Sequence, residues 1–384
     1  MSKTHADQSA LQDLNIVHVV RQYAPLVGGL EDFVRNLVRH QRDVFKSVRV
    51  ITLNRSFRDP ELELSEHEEI DGVEVVRLPF FGSTKYPITP AILSELAGAD
   101  LVHVHAVDFF FDALAATRIF HRKTIVATTH GGFFHTAAHS RLKRVWFNTL
   151  TRVSANQYAG LACCSQSDFD LFHQIAPSKC RLIENGVDLA KFADSAATTP
   201  QKTMVTVGRF SANKRLDHAL DALKALHLKD PEWRLEIVGL PSDLSLEDVN
   251  VLARARGVES RVGIHVGPSE SEIADLFRTC SIFISASEYE GFGIALIEAM
   301  SAGLKPVVHA NSAYKSLAVQ HEQIQLADFS NAEDVASLIV DAFNQIKINK
   351  SIRSSLTTAA EKYSWPSVAK RYEAFYQDSL SSRL

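Results

Sequence analysis

The sequence predicts an α/β protein made of two doubly wound parallel-sheet domains, and three observations carry that prediction. A length of 384 residues exceeds one ordinary hydrophobic core and suits two. Short, nearly continuous apolar runs alternate with helical patterns along the chain, as strands buried on both faces require. Midway, residues 193–203 (ADSAATTPQKT) are small and polar, lack apolar periodicity and read as a linker, with the domain boundary between residues 190 and 203.

From Asn15 the expected strands are NIVHVV, SVRVITL, VEVVRLPF, ADLVHVHA, TIVATTH and GLACCS. After the linker they are TMVTVGRF, RLEIVGL, VGIHVG, SIFISAS, LKPVVHA and IQLAD. The stretch APLVGGLEDFVRNLV opens a helix whose Leu30, Phe33, Val34, Leu37 and Val38 form one inward stripe. The closing WPSVAKRYEAFYQDSL is an aromatic-bearing helix entered through a proline. The expected domains are therefore 1–192 and 200–364, followed by a terminal helix over 365–384.

Composition narrows the classes. Hydrophobic residues at 46% and charged residues at 22% describe a globular chain rather than a disordered one. A formal net charge of −4 supplies no basic field, so nucleic acid is not an expected partner. Cys163, Cys164, Cys180 and Cys280 form no CxxC pair and no ligand-like spacing with histidine, which fits reduced thiols in the cytoplasm. Residues 1–13 contain no apolar core of a signal peptide, and no later run has the length of a membrane span, so a chain neither secreted nor integral is expected. No GxGxxG leads from a strand into a helix, which weighs against a dinucleotide oxidoreductase.

Ligands of open α/β sheets bind beyond the carboxyl ends of the strands, so those positions carry the chemistry. The richest is SIFISASEYEGFGIALIEAM: a strand, a turn with Gly291, Phe292 and Gly293, then a helix, with Glu290 and Glu298 seven residues apart around the turn. Glycines let backbone amides approach a ligand, and a helix N-terminus offers unpaired N–H groups to an anion, so the turn can hold a diphosphate. The two carboxylates can accept hydroxyl hydrogen bonds at different ends of one nucleotide sugar. In VTVGRFSANKRLD, Arg209 and Lys214 follow a strand and can clamp the same diphosphate, one as a fork and one as a point charge. Gly28 and Gly29 open the helix described above and are binding candidates, Gly28 on the acceptor side. His130, at a strand end beside Gly131 and Gly132, can reach a bound sugar, and His135 is a weaker candidate. ENGVD, residues 184–188, reads as a structural turn. Asp168 and Asp170 form a DxD pattern, but the serines before it and Leu171 and Phe172 after it read as a capped helix start rather than a metal site. His103 and His105 share one strand face, and two nitrogens without a third ligand make a poor metal site, so no metal residues are expected.

Taken in order, these motifs resemble the retaining, nucleotide-sugar-dependent glycosyltransferases of the large bacterial family 4, whose GT-B fold sets two Rossmann-like domains across a cleft. Within that family the likeness is greatest to enzymes of acidic exopolysaccharide assembly that carry mannose from GDP-mannose to cellobiosyl-diphosphopolyprenol. It rests on HVVRQYAPLVGGLEDFV, YPITPAILSELAGADLVHVHAVDFFFD, THGGFFHT, LKRVWFNTLTR and RLIENGVD, and spans the chain from about Asn15 to its end. The resemblance implies that Arg209 and Lys214, with the amides of Gly291, Phe292 and Gly293 and with Gly29, hold the donor diphosphate. It gives Glu290 the hydroxyls of the transferred sugar, Glu298 the ribose, and His130 a place near the reacting carbon. HVGPSESEIADLF would line the base pocket, and the terminal helix would pack back on the first, acceptor-binding domain. Metal-independent transfer with retention is implied, and no cofactor beyond the donor.

A lipid-linked acceptor has to be met at a membrane. SRLKRVWFNTLTRVSA is a basic amphipathic segment in which Leu142, Val145, Trp146, Leu150 and Val153 share a face, with Arg141, Lys143, Arg144 and Arg152 around it. Peripheral docking on the cytoplasmic leaflet of the inner membrane is the expectation. Three other readings stand beside the main one: transfer from a UDP-sugar to another glycolipid, a nucleotide-sugar epimerase of the same build, and a non-catalytic nucleotide-sugar sensor.

Overall fold

The computed structural model describes residues 11–59, 61–84, 86–131 and 144–381. The chain divides into two compact units: Met1–Gly186 with Trp365–Leu384, and Val187–Ser364.

The first unit holds an eight-stranded sheet in the order β10-β9-β8-β7-β1-β2-β4-β3. Its strands are β1 (Asn15–Val19), β2 (Ser47–Leu53), β3 (His67–Ile70), β4 (Val73–Leu78), β7 (Leu101–His105), β8 (Thr124–Thr128), β9 (Gly160–Cys163) and β10 (Cys180–Leu182). All pair in parallel except β3, which runs antiparallel along the edge. Strand β1 lies between β2 and β7, so the sheet reverses direction of growth there, and His18 stands in register with His103. Strands β7 and β8 are buried throughout, and their interspersed His and Thr side chains are buried with the Val, Ile and Leu. A small hairpin, β5 (Phe81–Ser83) with β6 (Tyr86–Ile88), sits apart from the sheet.

Helix α1 (Gly29–Gln41) buries Phe33, Val34, Leu37 and Val38 of the stripe read from the sequence, with Leu30 partly buried against the same cluster. The terminal helix, Trp365–Ser381, lays Trp365, Tyr372, Phe375 and Tyr376 into the same cluster. Its fit is tight: a Cβ on Gly186 would lie 2.4 Å from the Trp365 ring, and one on Gly160 2.5 Å from Phe375.

The second unit is a six-stranded, wholly parallel sheet in the order β13-β12-β11-β14-β15-β16. It consists of β11 (Thr203–Val207), β12 (Arg234–Gly239), β13 (Val262–Val266), β14 (Ile282–Ser285), β15 (Lys305–His309) and β16 (Gln325–Ala327). Here β11 has β12 on one side and β14 on the other, which makes the loops after β11 and β14 neighbours across a topological switch point.

Residues 193–203 are not a free linker. The chain passes between units at Gly186–Val187 and Ser364–Trp365, whereas Asp194, Ala196 and Ala197 donate backbone hydrogen bonds to Ser301, Ala302 and Cys280 of the second unit. Ser195 and Ala196 are buried. Their small side chains signal close packing, which composition alone does not separate from solvation. The edge strands β3 and β10 carry no strand signal in the sequence, because HEEI is charged and CRL is too short for a periodic pattern.

Candidate functional site

In the second unit, two loops are clipped together by one side chain. Asn213 donates from Nδ2 to the Tyr289 carbonyl (2.8 Å) and accepts at Oδ1 from the Tyr289 N–H (3.0 Å), while its own carbonyl accepts from the Glu288 N–H (3.0 Å). This ladder brings Lys214, after β11, onto Glu290, after β14: Nζ to Oε1 is 2.7 Å. Tyr314, buried beneath, donates toward the same Oε1 at 3.3 Å and toward Ser285 Oγ at 3.0 Å. Asn311 completes the floor by donating to the Ser287 carbonyl at 2.9 Å.

Backbone freedom is used at two points. Gly208 has φ +154°, and a Cβ there would lie 2.7 Å from Lys214 Cε, so the lysine stem crosses the space a side chain would occupy. Gly293 has φ +104° at the cap of helix α2 (Ile294–Ala302), with a Cβ 2.9 Å from the Tyr314 ring. No side chain caps this helix, so its first amides remain open to an anion. Gly291 has empty space where a Cβ would stand. Phe292 differs from expectation: its side chain is buried edge-on against Tyr363 at 5.6 Å, which leaves only its backbone for a ligand. Arg209 is exposed and makes no hydrogen bond or ion pair with a described residue. Arg215, the next cation, is instead held by Asp217 (2.9 Å) and Glu288.

Glu298, inside helix α2, has different surroundings from Glu290. It is half-buried near Asp188 and the Lys191–Glu270 ion pair (2.5 Å). Burial raises its carboxyl to about 7, Lys191 opposing and Glu270 and Asp188 adding to the rise. Glu270 opens the helix that follows β13, so the HVGPSESEIADLF segment and Glu298 are brought together, as neither motif reveals alone.

In the first unit, Gly28 is extended and Gly29 begins helix α1 with open space around it. Glu31 lies over Gly28, where a Cβ would meet its Oε2 at 2.3 Å, and Asp32 also occupies the first turn. Two acids already answer this helix dipole, so the turn is less suited to an anion than the uncapped start of α2. His130 takes a left-handed backbone (φ +54°) with Gly131 (φ +69°) behind it. Asp168 fixes that bend, its Oδ2 accepting from Thr129 Oγ1 (2.6 Å), the Gly131 N–H (2.8 Å) and Cys164 Sγ (3.2 Å). The DxD pattern is indeed a helix start, capped by Ser165, but its first acid has this second task.

His103 and His105 do have a third neighbour. His18 comes alongside because β1 pairs with β7, and the three offer ring nitrogens within 4.8 Å of one another. Every one of those nitrogens is engaged in a hydrogen bond. His18 Nδ1 meets His105 Nε2 (2.9 Å) and its Nε2 meets Gln41 Oε1 (2.9 Å). His105 Nδ1 meets His130 Nε2 (3.1 Å). His103 meets Tyr376 Oη (2.6 Å) and Thr128 Oγ1 (2.7 Å). Burial holds His18 and His130 down at about 3, and holds His103 and His105 well below the ordinary imidazole range. No carboxylate hydrogen-bonds these four rings among the described residues. Only the pairing of separate strands reveals this cluster.

Residues 132–143 lie outside the described residues, and with them His135, Arg141, Leu142 and Lys143. The segment that follows turns Phe147, Thr151, Ser154 and Ala155 inward. Val145 (60%), Trp146 (40%), Leu150 (39%) and Val153 (63%) are exposed beside Arg144 and Arg152. Ile119 (73%) and Phe120 (72%) are exposed on a nearby turn, where Arg118 Nη1 reaches Gln157 Oε1 at 3.5 Å. No helix among the described residues is long and apolar enough to cross a membrane.

The family profile "Glycosyltransferase Family 4" matches residues 27–191, and "Glycosyl transferases group 1" matches residues 188–362. The chain is 40% identical over 372 residues to a protein of Xanthomonas campestris named GDP-mannose:cellobiosyl-diphosphopolyprenol alpha-mannosyltransferase, covering 96% of this chain and 98% of that one. A protein of the same name from Komagataeibacter xylinus is 39% identical, with 100% and 97% covered. Among solved structures, sucrose-phosphate synthase from Thermosynechococcus elongatus superposes with a TM-score of 0.70 at 17% identity, covering 96% of this chain and all of that one. Anabaena Alr3699/HepE in complex with UDP gives 0.73 at 17%, with the same coverage. At such identities the structural likeness speaks for the fold, which is GT-B, with two Rossmann-like domains.

Proposed function

We infer the reaction from the premise that this chain belongs to glycosyltransferase family 4: it transfers mannose from GDP-mannose to a polyprenyl-diphosphate-linked, cellobiosyl-like glycan, with retention. The observation that carries the choice of substrates is near-full-length identity of about 40% to proteins named for that reaction. The site geometry agrees with it.

Breaking the bond between the anomeric carbon and the diphosphate leaves negative charge on phosphate and positive charge on the ring. Lys214, Arg209 and the open amides from Gly291 to the start of α2 answer the first charge with groups already in place. Glu290 accepts hydroxyls of the transferred sugar and trades part of its Lys214 contact for them, Tyr314 holding the carboxylate meanwhile. Glu298 accepts from the ribose. His130 approaches the sugar near the reacting carbon. The acceptor hydroxyl attacks on the face the diphosphate leaves and gives its proton to a phosphate oxygen, so this scheme calls for no separate base and no metal. The second unit, 187–364, takes the donor and the first unit the acceptor.

The exposed apolar run from Val145 to Val153, with Ile119 and Phe120 and the surrounding arginines, supports peripheral docking of the first unit on an anionic leaflet. The deciding experiment incubates the protein with labelled GDP-mannose, GDP-glucose and UDP-sugars plus polyprenyl-diphosphate-cellobiose, with and without EDTA. Mannosyl transfer from GDP-mannose, unaffected by EDTA, is expected. Transfer only from a UDP donor, or turnover without acceptor, would replace this reading.

A further inference from the structure

Three imidazoles of the first unit, His18, His105 and His130, form a directional line that ends at His130. Gln41 Oε1 stands 2.9 Å from His18 Nε2, and Gln41 Nε2 donates to Tyr376 Oη at 3.3 Å. A carbonyl oxygen only accepts, so His18 carries its proton on Nε2 and its Nδ1 is bare. That bare nitrogen accepts from His105 Nε2–H at 2.9 Å, which leaves His105 Nδ1 bare in turn. His105 Nδ1 accepts from His130 Nε2–H at 3.1 Å. The proton of His130 is thereby committed to Nε2, and its Nδ1 has no partner among the described residues. Phe33, edge-on to the His130 ring at 4.5 Å, and the Asp168-anchored bend keep the ring in that orientation.

We propose that Gln41, His18 and His105 are positioning residues that lock His130 in its Nε2–H tautomer, so that His130 meets its ligand through Nδ1 as a hydrogen-bond acceptor only. The group it selects is then a hydroxyl that donates, as a sugar hydroxyl does, and not a phosphate oxygen or a carboxylate. This deepens the transferase reading and rests on it for the identity of the ligand. It also explains why these histidines lie together with no carboxylate bonded to them among the described residues: neutral rings in series pass on an orientation without a charge.

The test is 15N NMR of histidine-labelled protein near neutral pH, with His130 identified by the signal lost in His130→Asn. A bare, downfield Nδ1 and a protonated Nε2 are expected. A protonated Nδ1 in the wild type overturns the proposal at once, since it means the Gln41 amide faces the other way and every bond in the line is reversed. Gln41→Leu removes the terminal acceptor and should give a mixed tautomer at His130 with about a tenfold fall in kcat at little changed KM. Gln41→Glu, whose carboxylate keeps an acceptor for His18 Nε2–H, should restore both the single tautomer and kcat. An unchanged His130 spectrum in Gln41→Leu refutes the relay. The expected tautomers together with no transfer from any sugar nucleotide would support the relay and count against the transferase reading.

Discussion

Mild acid should destabilise the first unit well before ordinary carboxylates are titrated. His18 and His130 are held near 3 in the folded protein against an ordinary 6.5, so they bind protons in the unfolded chain and not in the native one. Stability from these groups is therefore complete above 6.5 and is lost as pH falls from 6.5 toward 3. Each pKa unit is worth about 1.4 kcal/mol, so from about pH 7.5 to about pH 5.5 the two rings cost ~3 kcal/mol together. His103 and His105 shift in the same direction and add to the loss. Asp108, raised to about 6 by burial with Arg21 opposing, works the other way and returns about 1 kcal/mol over that range. A net loss of at least ~2 kcal/mol is a large share of the stability of one domain. Urea unfolding followed by Trp365 fluorescence at both pH values measures it, with Trp146 and Trp233 replaced by Phe. His18→Gln, which removes one titrating ring, should reduce the loss by about 1.4 kcal/mol. A pH-independent midpoint, or a loss unchanged in His18→Gln, would refute the reasoning.

The donor loops make further predictions. Lys214→Ala or Glu290→Gln should each lower kcat about 100-fold or more while GDP binding by calorimetry falls far less in Glu290→Gln than in Lys214→Ala. Gly208→Ala should raise the donor KM about tenfold at a stability cost of ~1–2 kcal/mol, because the new methyl displaces the Lys214 stem. Gly239→Ala should fail to fold, since its Cβ would stand 1.9 Å from the rigid Gly208 carbonyl oxygen; soluble expression separates the two. Glu298, raised to about 7 by burial, opposes folding increasingly as pH rises from 4.5 to 7, so Glu298→Gln should exceed the wild type in stability at pH 8 by up to ~3 kcal/mol and match it near pH 4. The same variant should bind GDP more weakly. Neutralising Arg141, Lys143 and Arg144 should reduce sedimentation with anionic liposomes severalfold, and unchanged binding would remove the membrane proposal.

The strand and helix pattern was open to reading in one dimension because each buried parallel strand needs its own apolar run, and each glycine turn its own composition. By the same logic Glu290, Glu298, Arg209 and Lys214 could be nominated from their places after strands. What the linear order withheld was adjacency. Asn213 looks like a loop asparagine until β11 and β14 lie side by side and it bridges their loops. His18 is one more residue of an apolar strand until β1 pairs with β7 and sets it opposite His103. Asp168 resembles half of a metal motif until β8 and β9 bring its carboxylate under Gly131. Local periodicity fixes which residues face inward, because burial acts on each segment separately. The choice of strand neighbours depends on contacts far apart in sequence, and it alone decides which polar groups face each other in the interior.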